Sequence, residues 1–438
     1  MSGARFPLTT FGTVTLVLWL GGALAQDLPD PLTLEAALAH SQGLHPELLL
    51  AQARRESAEA RRQLAESRYG TEVSLLARAR VVEPSERGRQ LHDTRNDSGI
   101  RLQLSRRLYD FGQTRARVAA ADAASTGQGH HLEAVRQQRG LEVMARFLEV
   151  RLADLAFQVQ DEAMAIAFVR TDRARNRHEL GQMGDVELLA LESTFQKVRL
   201  ARHRAQNEQR NSRARLAQAL ARPGELSATL VQPRFPGNDR SVPELEEIEA
   251  AVQAGNPRLL ALRAEVTAGR QRLAAARSGG RPVLTGILAA SEFNRATSSS
   301  DDLEAELRLE IPLATGGRMG ADVALARAEM QAAEAALLEA EWDLRQEVFE
   351  LQQEIRVLQL QRDEVRVDTE FRDLELDQKR TEYEMEFTSD LGDAMVRFSE
   401  MRLRQARNEY ELALAWARLA MLTDNPDWSP LRGGDANE

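Results

Sequence analysis

The chain has 438 residues, with 57 basic and 67 acidic side chains and a formal net charge of −10, and it contains no cysteine. Disulfides and thiolate metal sites are therefore excluded, and the mixed charges leave no basic face for nucleic acid. Only 5% of residues are aromatic and 28% are charged. This composition is typical of long helices packed side by side rather than of several globular domains.

The first 25 residues have the organisation of a secretory signal peptide. Arg5 supplies a positive charge, residues 11–20 form an apolar segment, and residues 23–25 offer a small-residue cleavage site before Gln26. The sequence therefore predicts export. No later segment approaches the 18 consecutive apolar residues expected of a transmembrane helix.

Residues 26–222 are predicted to form a first repeat of helix, β-hairpin, very long helix, turn and helix. Thr33 is the expected cap of the first helix, which is interrupted near residues 43–46. The long helix contains no proline and would extend roughly 100 Å at 1.5 Å per residue. The predicted elements are helix 33–69, strands 72–82 and 98–108, helix 112–180 and helix 185–222.

A proline-rich linker, residues 223–243, precedes a second copy at 244–422 and a tail at 423–438. His45-Pro46 matches Asn256-Pro257 at an offset of 211 residues, and Gly112 matches Gly317 at an offset of 205. The offset of 205 persists for about 80 residues, and the change from 211 means that the second hairpin loop is six residues shorter, which indicates an internal repeat. The predicted elements of the second copy are helix 244–278, strands 283–292 and 303–312, helix 317–385 and helix 389–422.

The strands have the alternation of transmembrane barrel strands, which need about 9–11 residues with apolar side chains toward lipid and polar ones toward a lumen. One such strand alone would fit a half-exposed soluble sheet equally well, but four of them in an exported helical chain favour a membrane. The third strand fits least well, because Leu284, Leu288 and Ala290 fall on its expected polar face. The candidate lumen residues are Arg101, Gln103, Arg107, Glu304, Glu306, Arg308 and Glu310.

Four strands cannot close into a barrel, and an open edge in lipid leaves unpaired backbone groups that cost several kcal/mol each. Membrane strands in this chain therefore require other copies of it. Since each long helix follows its hairpin directly, the helices are expected to continue the barrel as a tube.

These features resemble the TolC-like outer-membrane efflux proteins of Gram-negative bacteria over residues 32–425. The resemblance depends on the Pro46 and Pro257 motifs, on the turn at residues 179–186, and on the strand-to-helix joints. All three motifs occur twice in register. The joint residues are Tyr109, Asp110, Phe111, Gly112, Pro312, Gly316 and Gly317.

The resemblance implies a mainly helical fold with a transmembrane β-barrel contribution. Three chains would form a 12-stranded barrel in the outer membrane, continued by an α-helical barrel in the periplasm, with the linker and the tail in an equatorial region. It implies contact with outer-membrane lipid, docking to a periplasmic adaptor and an inner-membrane transporter, and either drug efflux or type I protein secretion. The joint at residues 108–112 leans toward secretion. No cofactor is implied.

In the family the turns at residues 181–188 and 386–393 form a periplasmic tip that closes as an iris. The second turn departs from the family pattern, with Glu386 in place of glycine and Gly392 in place of an acid. We hypothesise that Asp390 and Asp393 ring the entrance and favour cations; solvated loop acids, or a helix cap at Ser389, would equally explain the residues there. The tip candidates are Gly181, Gly184, Asp185, Glu187, Glu386, Asp390 and Asp393.

No residue pattern predicts catalysis. His130 and His131 point about 100° apart on a helix, without further metal ligands at suitable spacing. There is no phosphate-binding glycine loop after a strand, so energy must come from a partner. The alternative to an export duct is a periplasmic coiled-coil scaffold or adaptor-like protein without a pore. A scaffold would lack barrel strands, and an adaptor would need a compact β-rich domain.

Overall fold

The computed structural model describes residues 29–41, 43, 45–82, 85–86, 89–90, 95–96, 98–222, 224, 229–293, 302–385, 390–425 and 429–431. The predicted signal peptide lies outside these residues.

The first repeat begins with two short helices and ends with two long ones. Thr33 caps the first helix as expected, because its Oγ1 accepts a hydrogen bond from the Ala36 amide at 3.2 Å. His45 caps the second helix, with Nδ1 accepting from the Glu47 amide at 3.3 Å. The elements are α1 (Leu34–His40), α2 (Pro46–Glu66), β1 (Thr71–Arg78), β2 (Gly99–Tyr109), α3 (Gln113–Glu179) and α4 (Asp185–Ala219).

The second repeat has the same order of elements. Its long helix has 67 residues, as does α3, so each extends roughly 100 Å. The elements are α5 (Leu245–Gly255), α6 (Pro257–Arg277), β3 (Val283–Phe293), β4 (Leu303–Glu310), α7 (Arg318–Glu384) and α8 (Leu391–Thr423).

The prediction of one helix over 244–278 is wrong. The chain breaks at Asn256, because Pro257 has no amide hydrogen to continue the α5 ladder. The Asn256 Oδ1 instead accepts from the amides of Arg258 and Leu259 at 2.9 and 3.1 Å, which starts α6. Asn256 thus has the same capping role as His45.

Three predicted boundaries also differ from the structure. The first strand ends at Arg78, and a separate two-residue ladder, Val81–Val82 with Arg95–Asn96, extends the hairpin. The last strand ends at Glu310, shortly before Pro312, which cannot donate a ladder hydrogen bond. Helix α4 ends at Ala219, because Ala221 adopts a positive φ of 57°.

The four long strands form one antiparallel sheet in the order β1-β2-β3-β4. The register places Leu75 opposite Leu102, and Leu104 opposite Leu288. Within the part of the chain that the structure describes, β1 and β4 each pair on one side only. The sheet therefore has two open edges.

The helices form a layer that continues the sheet. Next to the sheet the order of packing is α2-α3-α6-α7, and toward the far end it is α4-α3-α8-α7. The long helices α3 and α7 run through both halves. As a result α7 continues the β4 edge, whereas α2 and then α4 continue the β1 edge.

The hydrophobic core lies near the middle of the long helices, where the linker and the C-terminal segment cross them. One cluster contains the buried Phe147 and Tyr410, and a second contains the buried Trp416. The Asn238 Nδ2 donates to the Glu409 carbonyl at 3.0 Å, and the Gly237 amide donates to the Pro430 carbonyl at 3.1 Å. None of the described helices combines the length and low charge needed to cross a bilayer.

Candidate functional site

The seven candidate lumen residues lie on one face of the sheet. The β2–β3–β4 register places Gln103, Ala289 and Glu304 in one row, and Arg107, Thr285 and Arg308 in another. Arg101 forms an ion pair with Glu304 across β3, and Arg308 binds Glu306, with Nε–Oε1 at 2.7 Å. The structure thus collects both signs of charge on a single polar face.

The opposite face of the sheet is apolar and exposed. Val73, Leu104, Leu288 and Ala305 form one row across all four strands. Leu288 is 57% exposed, and the neighbouring Leu307 is 73% exposed. A continuous apolar surface of this kind matches the lipid-facing side of a barrel.

The prediction of which β3 residues lie on the polar face is wrong. Leu284, Leu288 and Ala290 lie on the apolar face, whereas Ile287 and Ala289 lie on the polar face and are each 5% exposed. Both faces of β3 are mostly apolar in sequence, so alternation cannot assign them, and pairing with β2 does. β3 therefore fits the membrane pattern better than its sequence indicates.

The two strand-to-helix joints have the same backbone conformation. Phe111 and Gly112 have φ values of 52° and 91°, and the equivalent Gly316 and Gly317 have 59° and 84°. Two consecutive residues with positive φ turn the chain from the strand into the helix. This left-handed backbone conformation favours glycine. The backbone conformation of the first joint is thus repeated at the second.

A side chain within each joint caps the helix that follows. The Asp110 Oδ2 accepts from the Thr114 amide at 2.8 Å, and the Thr315 Oγ1 accepts from the Met319 amide at 3.4 Å, 205 residues later. Burial alone would raise the pKa of Asp110, but hydrogen bonds from Thr114 and Arg107 outweigh burial and lower it. The carboxylate therefore remains charged at the start of α3.

Aromatic and proline residues surround the joints. Tyr109 and Phe111 pack edge to face, with ring centroids 4.7 Å apart, and both are exposed. Their position at the end of the sheet matches the aromatic girdle of a membrane barrel. Pro312 ends the fourth strand on the other side of the sheet, between Glu310 and the Gly316–Gly317 turn.

The first tip turn joins α3 to α4. Gly181 has φ of 71°, and the Gln182 amide donates to the Arg177 carbonyl at 2.8 Å, which closes α3. The exposed Asp185 binds His178, with Oδ1–Nε2 at 2.6 Å. Gly184 precedes α4, and Glu187 is exposed in its first turn.

The second tip turn joins α7 to α8. Glu386 and Ser389 lie outside the described residues, so the structure gives no description of them. Asp390 precedes α8 without a side-chain capping bond, and Asp393 lies in the first turn of α8. Arg170 of α3 binds Asp393, with Nη2–Oδ2 at 2.8 Å.

Sequence reasoning missed the partner of Asp393 and a second contact between the same helices. The Ser399 Oγ of α8 donates to the Glu162 Oε2 of α3 at 2.5 Å. Neither contact has a signal in the sequence, because the partners are far apart in the chain and each residue reads as an ordinary polar side chain on a helix. These two contacts tie the α3–α4 hairpin to the α7–α8 hairpin near the tip.

Comparisons with known proteins agree with this architecture. The family model described as "Outer membrane efflux protein" matches residues 37–222 and 250–424. Among curated proteins, the chain is 27% identical over 337 residues to Protein CyaE of Bordetella pertussis, covering 73% of this chain and 68% of that protein.

Solved structures share the fold. The CmeC outer membrane channel of Campylobacter jejuni gives a TM-score of 0.72 at 13% identity, covering 92% of this chain and 87% of CmeC. The outer membrane protein VceC of Vibrio cholerae gives 0.69 at 16% identity, covering 92% of this chain and 97% of VceC.

The family consists of non-enzymatic transport ducts of the outer membrane that extend into the periplasm. Its members are homotrimeric channels that work with an adaptor and an inner-membrane pump. The family match covers most of the described chain. The chain therefore belongs to the outer membrane efflux protein family and acts as an exit duct in efflux or secretion.

Proposed function

We propose that three copies of this chain form a passive duct, which receives substrate from an inner-membrane pump and a periplasmic adaptor and releases it outside the cell. The three sheets would form a 12-stranded barrel in contact with outer-membrane lipid, and the helices would form the periplasmic tube. The seven polar-face residues would line the barrel, and the tip residues would surround the periplasmic entrance.

The observation that carries this proposal is the pair of open edges that the described strands and helices leave on the two sides of the molecule. One edge consists of β4 and α7, and the other consists of β1, α2 and α4. Because the two edges differ, joining them requires a head-to-tail contact, which closes into a ring when the rotation per copy divides a full turn. Strand edges in lipid require such closure.

Both helical edges carry exposed apolar side chains. On α7, Trp342, Leu360 and Leu374 are 65%, 72% and 70% exposed. On α4, Val186 and Leu189 are 83% and 62% exposed. Exposed apolar stripes along an otherwise polar helix mark an interaction surface.

Contacts within the chain match one level on the two edges. Arg202 of α4 binds Asp161 of α3 at 2.6 Å, and Glu162 binds Ser399 of α8. Arg397 of α8 in turn binds Glu375 of α7 at 3.3 Å. This chain of contacts places the region of α4 near residue 200 level with the region of α7 near residue 372.

Leu200 on α4 is 52% exposed, and Phe371 on α7 is 54% exposed. They occupy that shared level on opposite edges of one chain. In a ring, α4 of one copy would bring Leu200 against Phe371 of the next copy, and burial of the two side chains would favour assembly.

Cross-linking at this level tests the ring. The chain has no cysteine, so introduced cysteines have no background. Gln196→Cys on α4 and Gln378→Cys on α7 lie at the same level on opposite edges. Treatment of outer membranes with a flexible bismaleimide should leave each single variant monomeric on a denaturing gel, and should give dimers and trimers, but nothing larger, from the double variant.

The single variants are the matched controls, since a two-fold symmetric dimer would link like edges and cross-link one of them. Cross-linking of either single variant, or a ladder beyond three chains, would contradict the trimeric ring. A folded monomer in the soluble periplasmic fraction that forms no channels in planar bilayers would favour the scaffold alternative.

A further inference from the structure

A cavity of about 1170 Å³ lies between α2, α3, α6 and α7, beside the strand-to-helix joints. We refer to it as the upper cavity. Its positively charged side chains are Arg54 and Arg61 on α2, Arg117 on α3 and Arg272 on α6, and His131 also lines it.

Most of this positive charge has no partner within the described residues. Arg272 binds Glu265, with Nη1–Oε1 at 2.8 Å. Arg54, Arg61 and Arg117 form no ion pair with a described residue, and Asp322 is the other acid in the lining. Three guanidinium groups therefore face a single unpaired carboxylate.

The upper cavity adjoins the polar face of the sheet. Arg107, on that face, contacts Asp110 and Thr114 at 3.5 and 3.4 Å, at the start of α3. Arg117 follows one turn later. Burial lowers the pKa of Arg117, and so do the nearby charges of Arg68 and Arg107, while Asp110 opposes them. Since arginine stays protonated, like charges are held together here.

The other face of α2 is different. Arg62 binds Glu59 at 2.7 Å and Glu66 at 2.6 Å, and Arg55 lies beside Glu56 in a separate groove there. On that side Arg62 is neutralised by two carboxylates and Arg55 shares its groove with Glu56 and Glu59, whereas Arg54 and Arg61 face the upper cavity without an ion pair to a described residue.

We propose that the upper cavity binds oxyanion groups, carboxylate or phosphate, of a substrate as it passes from the helical tube into the barrel. Guanidinium groups suit this task, since they bind both groups through paired hydrogen bonds and remain charged at every physiological pH. The inference rests on the proposed duct, because only an assembled tube makes this face a passage.

Channel block tests the proposal. The purified outer-membrane protein is placed in planar bilayers, and tripolyphosphate is added on the barrel side at about 0.1 M salt. Wild type should show concentration-dependent block, and the triple variant Arg54→Gln/Arg61→Gln/Arg117→Gln should need at least about tenfold more tripolyphosphate for half-block. A hexaglutamate peptide is the second probe, and it distinguishes carboxylate from phosphate as the source of the anion. If the triple variant raises the half-blocking concentration of hexaglutamate as much as that of tripolyphosphate, the site also binds acidic peptides.

Arg55→Gln is the matched control, since it removes the same charge from the adjacent residue on the other side of α2, and it should block like wild type. If the triple variant does not assemble, Arg61→Gln alone, on an exposed side chain, should raise the half-blocking concentration about threefold. Equal block of wild type and of the arginine variants, or an equal shift in Arg55→Gln, overturns the anion site while the channel still conducts. Absence of any conductance from the wild type would instead overturn the duct.

Discussion

Arg170 and Asp393 form an ion pair, with Nη2–Oδ2 at 2.8 Å, between α3 and the first turn of α8. The hydrogen bond to Asp393 raises the pKa of Arg170. Both side chains are partly exposed, so the pair contributes about 0.2–1 kcal/mol. It joins the two helical hairpins at the end where the entrance is expected, and it partly neutralises a member of the hypothesised acidic ring.

Substituting Arg170→Gln should therefore loosen the tip. Loss of about 0.2–1 kcal/mol per pair predicts a rise of roughly 1.5- to 5-fold in the open population for each broken pair. The open probability in single-channel recordings in planar bilayers measures this effect. Cation selectivity should also rise, because Asp393 loses its neutralising partner, whereas Asp393→Asn should raise conductance and lower cation selectivity.

Arg202→Gln is the control for the tip. It breaks a comparable pair at 2.6 Å, but that pair lies within the α3–α4 hairpin. An equal rise in open probability from this variant would mean that general loosening, and not a link between hairpins, controls the entrance. Unchanged selectivity in Asp393→Asn would remove Asp393 from the constriction.

The positive φ of Gly112 at the first joint predicts that alanine at this position lowers stability. Gly112 has φ of 91°, which costs a residue with a Cβ about 1–2 kcal/mol. Gly112→Ala should lower the midpoint of thermal unfolding followed by circular dichroism. Gly129→Ala should leave this midpoint unchanged or raise it. Gly129 lies inside α3, where an added Cβ meets nothing within 4 Å and alanine is the better helix former. Equal effects would show that the joint conformation is not strained for alanine.

The two faces of β2 should respond differently to charge. Leu104 lies on the apolar face and the adjacent Ser105 on the polar face. An arginine facing lipid near the middle of a barrel strand costs about 2–4 kcal/mol. Leu104→Arg should therefore reduce folded trimer in the outer-membrane fraction strongly, and Ser105→Arg should reduce it little. The reverse order would mean that the faces are assigned the wrong way.

His45 should make the α2 cap sensitive to acid. Burial lowers the pKa of His45 from 6.5, and the charge of Arg139 lowers it further. The folded chain thus keeps His45 neutral while the unfolded chain takes up a proton, so stability should fall as the pH decreases below about 6.5. His45→Asn keeps a capping side chain, as Asn256 shows in the second repeat, and removes this titration.

Thermal unfolding at pH 7.5 and pH 5 measures this difference. The variant should lose less stability than wild type between the two values, and His203→Asn, on an exposed residue of α4, should behave like wild type. A variant that loses as much stability as wild type would show that other groups cause the acid sensitivity.

Much of the fold follows from local patterns. Alternation with a period of two identified the strand segments of β2 and β4, and the absence of proline identified α3, although the strand ends and the break at Asn256 were placed less well. The joint residues were also visible, since Gly112 and Gly317 repeat at a fixed offset. The two faces of β3 could not be assigned from the sequence, because a strand that is apolar on both faces shows no alternation.

The sequence by itself determined that this chain has two repeats, four short strand segments and two helices too long for a globular core, because these follow from residue spacing and from the absence of proline along the chain. Only the tertiary structure decided that Arg170 meets Asp393, and that Arg54, Arg61 and Arg117 share one cavity. The physical reason is that an α-helix drifts about 20° per heptad relative to a strict seven-residue repeat. Over 67 residues that drift carries a side chain through about half a turn, so its neighbour is set by packing between helices and not by its place in the sequence.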